Sequence, residues 1–137
     1  MYMEDVYRST FYDIVKETQG KTGYELPEDL ECYLVMLLSQ QTKRPNFLPE
    51  TTFAEMFLTA TTPTQRKELG DTCLFVSGVF PYIGNKKGIS RSYYSDMGIT
   101  SYELLSDHWH PELFGSLAKH FCFLSKFIEI TIGSTRS

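Results

Sequence analysis

The chain has 137 residues, 42% of them hydrophobic and 15% aromatic. That is enough to bury one core without disulfides or metals, and it is far from the polar, charge-rich signature of disorder. A net charge of −4 with a sequence pI near 5.3 argues against a general nucleic-acid or anionic-membrane surface, since both need a basic face that displaces counterions.

The apolar run Tyr33 to Leu38 is much shorter than the roughly 20 residues of a membrane helix. The opening residues lack the apolar stretch and small-residue site of a secretory leader. The expectation is a cytoplasmic protein with no membrane and no nucleic-acid partner. Cys32, Cys73 and Cys122 are odd in number, widely spaced and set in apolar surroundings, so they read as reduced core thiols rather than a disulfide framework or zinc site.

In chain order, Met3, Tyr7, Phe11, Ile14, Val15 and Thr18 recur at helical spacing, which predicts an amphipathic helix ending near residues 19–23. Pro27, Glu28 and Asp29 suit a first helical turn, where proline gives up no needed donor and acids meet the positive end of the dipole. The helix they open is apolar on nearly every side, so residues 28–40 predict a near-fully buried central helix. Pro45 and Pro49 end it.

Three later starts pair a threonine with an acid or amide three residues on: Thr52 with Glu55, Thr62 with Gln65, and Thr100 with Glu103. Each predicts a capping box. The first opens a short helix with Phe53, Met56, Phe57 and Ala60 on one face. The second opens a longer one with Leu69, Cys73, Val76 and Phe80 in register, which Pro81 ends or kinks. Gly70 and Gly78 weaken that helix by about 1 kcal/mol each relative to alanine, which suggests that they serve close helix contact. Ser90 to Gly98 reads as a short helix stopped by the glycine, and Thr100 onward as another. From Pro111, the stripe Leu113, Leu117, Phe121, Leu124 and Ile128 predicts one long closing helix. Residues 127–132 also alternate as a strand would, but no second strand is in evidence to pair with them. The sum is an all-α, single compact bundle-like domain of about six to seven helices over residues 1–132, with 133–137 a flexible tail.

The candidate sites are few. Gly84 to Arg91 brackets Lys86 and Lys87 between glycines ahead of a helix start. Lys86, Lys87 and Arg91, with Tyr93 and Tyr94, form a speculative binding set for a phosphorylated or otherwise anionic small molecule. The spacing is G-x-x-x-G with no lysine after the second glycine, so it is not a P-loop; a plain helix-to-helix connection is the ordinary reading. His108 and His110, two apart around Trp109, are weak metal candidates. The residue before Pro111 is biased toward an extended backbone, where such a pair shares one side, but no third ligand is evident.

His120 beside the closing stripe reads as a hydrogen-bonded core histidine, or less readily as a pocket base. Asp71 and Asp96 are acids in apolar stretches that become interesting only if buried. No nucleophile elbow, H-E-x-x-H or dinucleotide fingerprint occurs. The expectation leans away from an enzyme and names no cofactor. It favours a helical protein acting through protein–protein contact, as a homodimer or with another chain, through a second apolar face of Phe53 to Phe57, Phe114, Phe123 and Phe127. The alternatives are the anion-binding loop and, more weakly, a metal-dependent enzyme at His108 and His110.

Overall fold

The computed structural model describes residues 2–43, 53–80 and 91–135. Among them are seven helices and no strand: α1 (Tyr2–Thr22), α2 (Glu28–Lys43), α3 (Phe53–Thr59), α4 (Pro63–Val79), α5 (Arg91–Ser106), α6 (Pro111–Lys119) and α7 (Phe121–Thr135). The all-α, bundle-like architecture follows the sequence pattern. Residues 127–132, which alternate like a strand, lie within α7.

Helix α1 buries Phe11, Val15 and Thr18 against α2 and α7. It ends where Gly23 takes φ +77°, the left-handed region that only glycine enters without cost. Helix α2 is largely enclosed, with Tyr33, Leu34, Val35, Leu37 and Leu38 all buried and each such leucine contributing about 1.5–3 kcal/mol, though Asp29, Cys32 and Gln40 face outward.

Helix α4 is surrounded too, which its composition did not announce. Ten consecutive residues, Leu69 to Gly78, are buried because α5, α7, α2 and α3 all pack on it. Small residues make that possible. A Cβ on Gly70 would lie 2.7 Å from the Tyr102 ring of α5, and one on Gly78 would lie 2.6 Å from Ile128 of α7. The capping box at its start is complete: the Gln65 amide donates to Thr62 Oγ1 at 3.2 Å and the Thr62 amide donates to Gln65 Oε1 at 3.2 Å.

Four sequence expectations are corrected. Residues 91–106 form one helix, not two, so Thr100 and Glu103 sit mid-helix and make no cap. Gly98 does not stop the chain but lets α5 approach α7 and α4: a Cβ there would lie 2.5 Å from the Phe121 ring and 2.9 Å from Cys73 Cβ. The closing helix breaks at His120, which caps α6 before α7 begins. Cys73 is buried, but Cys32 and Cys122 are exposed. The last helix runs through Gly133 to Thr135. Thr52 of the first capping box lies outside the described residues.

Candidate functional site

The speculative anion set does not assemble among the described residues. Lys86 and Lys87 lie outside them, and Arg91 contributes the first backbone turn of α5. Tyr94 is buried in the core, whereas Tyr93 is half-buried and lines a surface cleft.

His108 and His110 are both exposed. His110 adopts φ 43°, ψ 63°, not the extended backbone that would turn the pair to one side. Trp109 closes this turn instead, stacking on Phe114 at 5.7 Å. No group of three potential metal ligands converges among the described residues. His120 is exposed rather than in the core, at the interruption between α6 and α7 where it caps α6.

Of the two flagged acids, Asp96 is exposed and Asp71 is buried. Asp71 sits in α4, where Tyr33 of α2 donates its hydroxyl to Oδ1 at 2.6 Å and Tyr102 of α5 donates to the same oxygen at 2.7 Å. Lys67, one turn earlier, reaches Oδ2 at 3.0 Å. Burial, and then the Asp71 charge, push the Tyr33 and Tyr102 hydroxyls well above the ordinary tyrosine range, so both stay protonated as donors. Phe114 covers the group, edge-on to Tyr33 and stacked with Tyr102. The network clamps three helices and presents no acceptor to a substrate.

A second buried carboxylate, Glu31 of α2, accepts from Gln19 Nε2 at 2.6 Å and pairs with Lys16 at 2.9 Å. Burial pushes its carboxyl up, but those two bonds outweigh it and hold the group below its ordinary value. Gln19 also accepts from the Leu26 amide at 2.7 Å, which fixes the α1–α2 turn. An open cleft of about 490 Å³ lies over this group, walled by Tyr12, Glu25 and Glu28. Its floor is occupied by its own hydrogen bonds.

The apolar surface differs from the one expected. Phe114 and Phe127 are core residues: Phe114 shares the buried face of α6 with Leu117 and Ala118, and Phe127 that of α7 with Leu124, Ile128 and Thr131. Phe123 stays 39% exposed, with Tyr24 edge-on to it at 5.3 Å. The more open apolar region is where α3 meets α4 and α5. There Phe57, Leu58, Ala60 and Leu104, with Thr61 and Arg66, line a cleft of about 250 Å³. Phe57 is shared with an adjoining cleft of about 240 Å³ walled by Tyr93, Met97, Asp96 and Thr100. Leu58 is 79% exposed at the rim, and Leu104 is 36% exposed. Residues 93, 97, 100 and 104 follow the 4, 3, 4 spacing of one helix face, a stripe hidden in the sequence by the supposed stop at Gly98.

No family model matches the chain, and no curated protein or solved structure matches it. Among the described residues, no helix is long and apolar enough to cross a membrane.

Proposed function

We propose that this chain is a protein-contact domain that acts by association, with a second copy of itself as first partner, and does no chemistry of its own. The observation that carries the reading is Leu58, 79% exposed on the lip of an apolar groove between α3 and α5. A lone exposed leucine is ordinary, but Leu58 adjoins Phe57, Ala60, Leu104 and Met97 across two connected clefts, and a contiguous apolar patch of this kind marks an interaction site.

The magnitude sets the expected strength. Leu58 and Leu104 together expose roughly one leucine's worth of surface per copy, and a symmetric pair counts it twice. At about 1.5–3 kcal/mol per buried leucine, the two copies gain about 3–6 kcal/mol, against an association cost of at least about 4 kcal/mol. That surplus is thin, so Phe57, Met97 and Tyr93 must contribute as well, and the expectation is a weak dimer, micromolar at its tightest, rather than a nanomolar one. Light scattering across the micromolar range tests this. The expected mass rises from 15.8 kDa toward twice that value with concentration. A mass fixed at the monomer value to the top of that range overturns self-association.

A further inference from the structure

The groove carries charge at its two ends, and the signs are opposite. Arg66, half-buried at the start of α4, lines the end formed by Leu58 and Leu104; Asp96, exposed on α5, lines the end formed by Tyr93 and Met97. Eight residues of α5 separate Asp96 from Leu104, about 12 Å along the helix axis. Phe57 stands between, shared by both clefts. Neither charge has an ion-pair partner among the described residues, whereas Lys16, Lys21, Lys67 and Lys126 all do.

An apolar groove with a basic end and an acidic end is complementary to itself when turned around. We infer that a second copy docks on this groove about a twofold axis near Phe57, so that Leu58 of each copy enters the other's Phe57–Tyr93–Met97 cleft and Arg66 of each faces the partner's Asp96. Resting on the self-association reading, this arrangement adds the face, the symmetry and the polarity of the pair. A twofold axis brings each residue's contact twice, so one knob, one cleft and one pair of charges per chain complete two knob-in-cleft contacts and two ion pairs. A parallel arrangement would set like charges together at both ends, which disfavours it. The exposed Tyr24–Phe123 pair offers no such match: its rings already satisfy one another edge-on.

The test is a charge inversion read by sedimentation equilibrium. R66E and D96K, each measured alone, put like charges opposite one another at both ends of the pair, and each is expected to weaken dimerisation about five- to tenfold. Mixed in equal amounts, the two variants form a heterodimer with opposite charges at both ends, one end keeping the parent Arg66–Asp96 pair and the other reversing its polarity, so the mixture is expected to regain association within about threefold of the parent. L58D removes the knob and is expected to weaken the dimer about a hundredfold, with an unchanged circular dichroism spectrum because Leu58 lies on the surface. A parent dimer insensitive to all three substitutions, or single variants weakened but not rescued by mixing, overturns this arrangement while leaving self-association in place. A parent that never dimerises overturns both, and leaves the groove to a different protein or to a ligand.

Discussion

Replacing Asp71 with asparagine keeps the side chain's shape and removes its charge, which isolates what the carboxylate does for the α2–α4–α5 junction. The Tyr33 and Tyr102 hydroxyls donate to one oxygen at 2.6 and 2.7 Å. A hydrogen bond to a charged acceptor contributes about 1.5–3 kcal/mol and a neutral one about 0.5–1.5, so the exchange costs about 1–1.5 kcal/mol per phenol. The amide nitrogen would then face the Lys67 ammonium, donor against donor. Lys67 is one-quarter exposed and can turn to water, so this adds under about 0.5 kcal/mol. Relief of the carboxylate's own desolvation offsets part of the loss, leaving a net destabilisation of about 2 kcal/mol. At about 2.1 cal/mol/K per residue, the unfolding entropy is about 0.3 kcal/mol/K for a chain of this length, which converts the loss to about 7 °C in Tm. Urea titration followed by circular dichroism should show a lower midpoint at constant slope. Pairing Asp71→Asn with Tyr102→Phe should give a loss smaller than the sum, because both remove the same bond. An Asp71→Asn variant within 0.5 kcal/mol of the parent would refute the idea that charge, rather than shape, closes this junction.

Gly98→Ala should destabilise by about 2 kcal/mol in the same titration, because a methyl 2.5 Å from the fully buried Phe121 ring outweighs the gain of about 1 kcal/mol in helix propensity; a stabilised variant would mean that α5 and α7 are less tightly packed. Thiol titration of the native chain should label Cys32 and Cys122 quickly and Cys73 only on unfolding, and three equal rates would contradict the packing around α4. Tyr33 and Tyr102 have hydroxyls raised above the ordinary range, so below pH about 10 both folded and unfolded chains keep them protonated and the stability they provide is intact. Above that pH only the unfolded chain ionises, and the parent should lose stability faster than the Tyr33→Phe/Tyr102→Phe variant; parallel pH profiles would show that these two phenols are not the groups concerned.

Local rules were enough for the helices themselves. The Thr62–Gln65 capping box, the acidic first turn of α2 and the all-round apolar body of residues 33–38 are interactions within a few residues, and each is realised where the sequence places it. Asp71 was legible as an acid in apolar surroundings, but its partners lie 38 and 31 positions away, a separation that no short-range pattern reports.

Glycine marks the division most clearly. The same residue type that ends α1 at Gly23 runs through α5 at Gly98, because the chain has two uses for a missing Cβ and only the neighbours decide between them. A positive φ is a local need, whereas a close approach by Phe121 and Cys73 belongs to two other helices. With Gly98 misread as a stop, the stripe Tyr93, Met97, Thr100 and Leu104 was cut in two, and the groove it forms with Phe57 and Leu58 could not be seen. Phe114 and Phe127, expected on an outer face, lie in the core. The sequence by itself determined which segments are helical and how apolar each is, since those are sums over nearest neighbours. Which face of each helix stays outside, and so where an association surface can exist, was decided only when the helices had to share one interior.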